Sequence, residues 1–279
     1  MDHAPVKYCV KKKEQDMKYG IYCGPELVEK AAKDGFDFFE WDVGSFLKPR
    51  ESAEAFAASL AIVRKAALKC PAVNCFIPHD LKITGPEVKT AELETFTRIA
   101  CERAQEAGVK TIVFGSGGAR NVPEGFDRER ARRQIVDFCR MLAPIAEKHN
   151  VTIAVEPLNL KASNILNTVD ECADLVREVN RPAIRLLVDS FHFLLDNDSL
   201  KDISANGHLL AHVHVATSPH HLPPGAEPCD LLPFFKALVS GGYDGRVSLE
   251  CDLPKGDSCL REAVSCMKTL EEKARQLPA

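Results

Sequence analysis

Short apolar runs recur along the whole chain, and polar or amphipathic stretches separate them. Most of the runs are nearly continuously apolar rather than alternating, which is typical of strands buried on both faces. This pattern predicts eight strands, at residues 18–24, 36–43, 72–78, 111–117, 152–158, 184–192, 211–218 and 245–252.

Amphipathic stretches with helical periodicity lie between the predicted strands. The first begins at Pro25 and ends at Gly35, which are common start and stop residues of helices. Gly108 is a stop signal of the same kind for a longer segment. The pattern predicts helices at residues 25–35, 51–70, 91–108, 127–150, 168–180 and 258–277, with a weaker one around 200–205.

The regular alternation of strands and helices predicts a (β/α)8 TIM barrel, formed as one domain by residues 17–279. Residues 1–16 are predicted to be an N-terminal extension. No Gly/Ser-rich linker divides the chain, and its 279 residues suit a barrel, for which about 250 is typical. A doubly wound open sheet is the alternative, but no GxGxxG follows the first strand and no P-loop is present.

A glycine-rich segment, GSGGAR, begins at Gly115 after the fourth predicted strand. Such a loop can cradle an anion, or it can simply make a tight turn. Arg120 and Asn121 follow it and could meet an anionic group, although a surface ion pair is the more ordinary role of Arg120.

Composition and charge narrow the class of protein. The chain has 36 basic and 40 acidic residues, a net charge of −4, and the basic residues are scattered, which argues against a nucleic-acid-binding surface. No apolar run approaches the roughly 18 residues of a membrane span, and the N-terminus lacks the apolar core of a signal peptide. Eleven cysteines without a CxxC pair indicate a reducing compartment, so a cytoplasmic location is expected.

Metal-compatible side chains lie near the carboxyl ends of the last four predicted strands, where a TIM barrel carries its active site. They are Glu156, Asp189, His214 and Glu250. Singly, such an acid is often a helix cap or half of an ion pair. Three carboxylates converging on one barrel mouth would repel each other without a cation. With one histidine, this oxygen-rich set suits Mn²⁺, Mg²⁺, Co²⁺ or Fe²⁺ better than structural zinc.

A second histidine, His212, lies two residues before His214 and therefore on the same face of the strand. We interpret His214 as the metal ligand and His212 as a neighbour that packs beside it.

The segments VEPLN, VDSFHF, HVHVA and SLECD, in this order, resemble the xylose isomerase-like TIM barrels. More narrowly, they resemble the sugar phosphate isomerase/epimerase group that includes D-tagatose and D-psicose 3-epimerases. The resemblance implies one divalent metal, with Mn²⁺ expected first, held by the four residues named above. It implies that Glu156 and Glu250 also exchange protons with a ketose through a metal-stabilised cis-enediolate. It further implies a substrate contact at His192 and a homodimer or homotetramer.

The chain departs from this group in two segments that contact substrate in relatives. The usual Leu-Asn-Arg-x-Glu is replaced at residues 158–162 by LNLKA, so that the Arg and the Glu are both missing. After strand seven, where relatives often carry an Arg, residues 218–221 read SPHH. Either His220 or His221 could replace the Arg with weaker, pH-dependent hydrogen bonds, or both could simply lie on the loop surface.

Other strand-end residues are candidate substrate contacts. Glu40 and Trp41 end the second predicted strand, and Trp41 is the only tryptophan, so it is either an aromatic wall for a sugar or a core residue. His79 follows the third strand and could also reach the substrate.

These residues favour a metal-dependent sugar isomerase or epimerase. The alternative is a lyase or dehydratase that acts on a keto-sugar, keto-glycoside or cyclitol with the same metal and base. A repair enzyme resembling endonuclease IV would need more strand-end histidines and a basic groove. A non-catalytic sugar-binding subunit would not need the acid/base pair.

Overall fold

A computed structural model describes residues 16–253 and 256–276, and the structural statements below concern these residues. Eight parallel strands close into a barrel in chain order, with the last strand pairing with the first. This arrangement confirms the predicted TIM barrel and excludes the open sheet. The strands are β1 (Lys18–Tyr22), β2 (Phe38–Asp42), β3 (Lys69–Asn74), β4 (Thr111–Phe114), β5 (Thr152–Val155), β6 (Ile184–Asp189), β7 (Leu210–Val215) and β8 (Arg246–Leu249).

Helices connect consecutive strands around the outside of the barrel. The predicted helices are present, including the weakly predicted one at Leu200–Ala205. The helix before β8, at Leu232–Ser240, was not predicted, because it is so apolar that its sequence shows no clear helical periodicity. The helices are α1 (Val28–Asp34), α2 (Val43–Phe46), α3 (Ala53–Lys65), α4 (Thr90–Ala107), α5 (Gly117–Arg120), α6 (Arg128–Lys148), α7 (Val169–Val179), α8 (Ser190–Leu195), α9 (Leu200–Ala205), α10 (Leu232–Ser240) and α11 (Leu260–Gln276).

Local capping explains where the long helices begin and end. The side chains of Ser52, Asp127 and Thr168 each accept a hydrogen bond from the backbone N–H three residues later, at the starts of α3, α6 and α7. Gly108 ends α4 in the left-handed conformation, with φ of 78°, which glycine adopts without strain.

Alternation along the strands separates two sets of buried side chains. One set packs between the barrel and its helices as the main apolar core. The other faces the barrel interior, where Val113, Ala154 and Leu187 form a small separate cluster. Beside that cluster, the interior is polar on the side of β2, β7 and β8.

The barrel interior is therefore layered, and the layers position the candidate site. Along β5 to β8, the lower layer contains Ala154, Leu187, His212 and Ser248. Two residues further along each strand, the side chains point to the same face and reach the mouth. Those positions carry Glu156, Asp189, His214 and Glu250.

The predicted N-terminal extension, residues 1–16, lies almost entirely outside the described residues. No helix in the described part of the chain is long and apolar enough to cross a membrane.

Candidate active site

The four predicted ligands converge at the carboxyl ends of β5 to β8. One nitrogen or oxygen of each lies within 4.8 Å of those of the others. Asp189 and His214 are register partners on neighbouring strands, which fixes their side chains next to each other. Glu156, Asp189 and His214 are buried, and Glu250 is partly buried. The barrel thus brings together the residues that the strand-end pattern singled out.

The donor atoms of this cluster lack ordinary hydrogen-bond partners. Glu156 Oε1, Asp189 Oδ2 and His214 Nδ1 are buried without a hydrogen bond among the described residues. The Nδ1 atom lies only 2.7 Å from Glu250 Oε2 and 3.5 Å from Glu156 Oε1, but the contacts are poorly directed for hydrogen bonding. Buried polar atoms normally have partners, so three unpartnered atoms aimed at one point fit a bound cation.

The pKa shifts of the cluster show that it favours positive charge at His214. Burial opposes an imidazolium at His214, but the carboxylates of Glu250 and Glu40 outweigh it and hold its pKa well above the usual value. Burial raises the pKa of Glu156, and contact with His214 only partly offsets this. Burial raises the pKa of Glu250, but the charge of His214 and the contact with it together outweigh burial, so the net pKa is lowered.

Asn74, at the end of β3, is a site residue that the sequence analysis missed. Its Nδ2 donates a hydrogen bond of 2.6 Å to Glu250 Oε1. Its Oδ1 accepts one of 2.6 Å from the backbone N–H of Cys75, which fixes the orientation of the amide. Asn74 ends a buried strand, so the same strand-end signal would have found it.

A cavity of about 640 Å³ opens above the cluster, a size suited to a small-molecule ligand. Glu156 and Glu250 lie in its wall together with the predicted substrate contacts His79 and His192. Asn159 Nδ2 donates a hydrogen bond of 2.6 Å to His192 Nδ1. In a neutral His192 the ring proton therefore lies on Nε2. The Nε2 atom is 4.0 Å from Asp189 Oδ2.

Three other predicted substrate contacts lie elsewhere. Glu40 is fully buried inside the barrel, because its position on β2 points it at the histidines of β7 rather than at the cavity. Trp41 points to the opposite face of β2 and stacks on Phe46, with ring centroids 5.5 Å apart. His220 has a 71% exposed side chain and pairs with Glu227 at 2.6 Å. None of the three lines the cavity.

Arg120 corrects the expectation of a surface ion pair, because it is fully buried. Its guanidinium donates to the backbone oxygens of Phe114, Glu156 and Leu166, and it lies 5.8 Å from the Phe114 ring. These carbonyls satisfy most of its donors within the interior.

The glycine-rich loop is explained by close packing. A Cβ on Gly115 would lie 2.3 Å from Glu156 Oε2, and one on Gly118 would lie 2.6 Å from His79 Cβ. Glycine at these two positions therefore leaves room for Glu156 and His79 in the cavity wall. This close packing explains the glycines without a bound anion.

The positions of the missing Arg and Glu carry no replacement. Leu160 is 67% exposed, and neither Leu160 nor Ala162 lines the cavity. Besides Glu156 and Glu250, the cavity wall carries Lys48 and Arg50 from the loop after β2, and these are paired with Glu51 and with Asp80. Any outer substrate contact must therefore differ from the one that the resemblance implies.

Residues 28–270 match the Xylose isomerase-like TIM barrel family, and the chain belongs to this family. Its fold and its strand-end cluster define it as a barrel of this class.

Several curated relatives are sugar epimerases. A D-psicose 3-epimerase of Agrobacterium fabrum (strain C58) is 26% identical over 225 residues, which cover 74% of this chain and 75% of that protein. A 3-dehydro-D-guloside 4-epimerase of Escherichia coli (strain K12) is 25% identical over 150 residues, which cover 53% of this chain and 56% of that protein. This chain thus spans about half the length of the 3-dehydro-D-guloside 4-epimerase.

A solved structure of 3-keto-D-glucoside 4-epimerase from E. coli is similar over 91% of this chain and all of that one. Its TM-score is 0.76 at 21% sequence identity, which shows a shared fold.

Proposed function

We propose that the chain is a sugar isomerase or epimerase that requires one divalent metal ion and acts on a ketose or keto-sugar. The observation that carries the proposal is the convergence of the unpartnered atoms of Glu156, Asp189 and His214 beside Glu250 at the floor of the cavity. The sugar epimerases among its relatives support the substrate class.

The two glutamates would exchange protons with the substrate. A sugar seated in the cavity lies against Glu156 and Glu250, which come from β5 and β8 and so approach it from different sides. One of them, as the carboxylate, removes the proton alpha to the carbonyl. The other starts as the carboxylic acid and gives its proton to the opposite face of the resulting enediolate. In the reverse reaction the two roles are exchanged.

A divalent ion held by Glu156, Asp189, His214 and Glu250 would act as a Lewis acid that polarises the substrate carbonyl and offsets the enediolate charge. The mixed carboxylate and imidazole set is compatible with Mn²⁺, Mg²⁺, Co²⁺ or Fe²⁺. Asn74 holds Glu250 and Asn159 holds His192, so the chain positions the side chains that meet the substrate through hydrogen bonds outside the cluster.

The test combines metal content with proton exchange. Protein purified without added metal should contain about one divalent ion per chain by elemental analysis. With Mn²⁺ present, D-psicose, D-tagatose and 3-keto-glucosides incubated in D₂O should gain deuterium at the carbon next to the carbonyl, without change in carbon skeleton.

Matched glutamate variants make the test specific. Glu156→Gln and Glu250→Gln should each lower turnover by at least about a hundredfold, because each removes a proton-transfer group. Glu272→Gln, an exposed glutamate on α11, should retain full turnover. No bound ion and no deuterium uptake would contradict the proposal. A product that has lost water or an alcohol would indicate the lyase reaction instead.

A further inference from the structure

A fully buried polar group lies directly beneath the ligand cluster and has no part in the proposed proton transfer. It consists of Glu40, His212 and Ser248, which all have no exposed surface. His212 Nε2 lies 2.8 Å from Glu40 Oε2, and Ser248 Oγ donates to the same oxygen over 2.6 Å. The other carboxylate oxygen, Glu40 Oε1, lies 3.2 Å from His214 Nε2.

The two ring nitrogens of His214 therefore face different partners. Nδ1 points into the cluster, 2.7 Å from Glu250 Oε2, whereas Nε2 points down to Glu40. A neutral imidazole binds metal through the nitrogen without a proton, and the acceptor at its other nitrogen decides which nitrogen that is. A carboxylate at Nε2 keeps the proton there and leaves the lone pair of Nδ1 free.

We propose that Glu40 is a positioning residue, which fixes the tautomer and ring orientation of His214 so that Nδ1 is the metal ligand. Ser248 and His212 in turn hold the Glu40 carboxylate in place. The inference rests on the proposed function in that it assumes a metal in the cluster above. It replaces the predicted role of Glu40 as a substrate contact.

The same residues could be considered as a second metal site, since Glu40, His212 and His214 also have ligand atoms within 4.8 Å of one another. The hydrogen bonds argue against this reading. Both oxygens of Glu40 already have partners, and the hydroxyl of Ser248 donates to one of them. The unpartnered atoms that mark the upper cluster have no counterpart on Glu40.

The test is titration of Mn²⁺ into metal-free protein, with calorimetry to measure affinity and stoichiometry. Glu40→Gln keeps the side-chain volume but replaces one acceptor oxygen by an amide donor. We expect it to bind Mn²⁺ about tenfold to a hundredfold more weakly than the unchanged protein, as is typical when the partner of a ligating histidine is removed. Glu272→Gln should bind as the unchanged protein does.

Two further measurements distinguish positioning from a general loss of structure. Ser248→Ala leaves the carboxylate in place but removes one of its supports, so a smaller loss of affinity, of a few fold, is expected. Nitrogen-15 NMR of the Zn²⁺ complex, labelled at histidine, should show the proton of His214 on Nε2 and lose that pattern in Glu40→Gln.

Each result has a definite meaning. Equal Mn²⁺ affinity in Glu40→Gln and the unchanged protein, or a His214 proton on Nδ1, would overturn the positioning role alone. Two ions per chain would overturn it in favour of a second metal site. If the unchanged protein binds no ion, the proposed function fails and the inference fails with it, so the two failures are distinguishable.

Discussion

Glu156 and Glu250 are both glutamates and belong to the same cluster, yet their surroundings differ. Glu250 is partly exposed and accepts a hydrogen bond from Asn74, whereas Glu156 is buried and has an oxygen without a partner. Hydrogen bonds to a carboxylate favour its charged form, and burial favours its neutral form. The neighbours of each residue therefore shift the pKa values of two chemically identical groups in opposite directions, up for Glu156 and down for Glu250.

Asn74 gives the first prediction at this scale. Asn74→Ala removes the donor to Glu250 Oε1, and a hydrogen bond to a charged group contributes about 1.5–3 kcal/mol. We expect kcat to fall by about tenfold or more, because the carboxylate is no longer held in position. Steady-state kinetics with the substrate identified by deuterium uptake would measure the change.

A second variant at the same position separates the hydrogen bond from simple packing. Asn74→Asp keeps the size of the side chain but places an acceptor against Glu250, so the loss should exceed that of Asn74→Ala and the acid limb of the pH–rate profile should move to higher pH. Unchanged kcat in Asn74→Ala would show that the hydrogen bond has no role in turnover.

At the scale of elements, the sequence predicted the strands and the polar residues at their carboxyl ends. A parallel barrel buries both faces of each strand, so apolar runs mark strands directly, and the polar residue that ends each run marks the mouth. Asp189 and His214 were predicted together for this reason. Their closeness then follows from the register of β6 and β7.

Residues in loops and inside the barrel were not predictable in the same way. Arg120 follows a glycine turn and has the sequence context of a surface residue, yet it is fully buried beneath three backbone carbonyls. Glu40 was predicted to contact substrate at the barrel mouth, but its side chain faces the histidines of β7. Such placements depend on contacts between elements far apart in the chain, which no local pattern records.

Arg120 provides the prediction at the scale of elements, since it joins the end of β4 to the start of the loops that follow β5. Arg120→Ala would remove this donor from the carbonyl oxygens of Phe114, Glu156 and Leu166 and leave a cavity in its place. The oxygens of Phe114 and Leu166 would keep the backbone donors Glu156 N and Leu158 N. Hydrogen bonds to a charged group contribute about 1.5–3 kcal/mol and the cavity adds to their loss, so the free energy of unfolding should fall by at least about 3 kcal/mol. Urea denaturation followed by circular dichroism would measure it.

The control for this prediction is an arginine that differs only in its surroundings. Arg98 has a 54% exposed side chain and a loose 3.8 Å contact with Glu102 on α4. Arg98→Ala should change the free energy of unfolding by no more than about 0.5 kcal/mol. Similar losses in the two variants would mean that the buried hydrogen bonds of Arg120 are not what stabilises the fold.

At the scale of the whole molecule, the ligand cluster joins four strands from one half of the barrel. Neighbouring carboxylates hold the pKa of His214 well above its usual value. In the metal-free protein, His214 is therefore protonated and positively charged. Stability due to that proton is present below the ordinary histidine pKa of about 6.5 and is lost as the pH rises through the folded-state pKa. The melting temperature of the metal-free protein should therefore decrease as the pH rises above about 6.5.

A metal ion at Nδ1 must displace the same proton, so the pH trend of metal binding has the opposite sign. Between about pH 6.5 and 7.5, Mn²⁺ affinity should increase by about tenfold per pH unit for one displaced proton. A tenfold change corresponds to about 1.4 kcal/mol, or roughly 3–5 °C in melting temperature for a chain of this size. Melting curves with EDTA and with excess Mn²⁺ at the two pH values would measure it. A stabilisation by Mn²⁺ that is constant or smaller at the higher pH would show that metal and proton do not compete for His214.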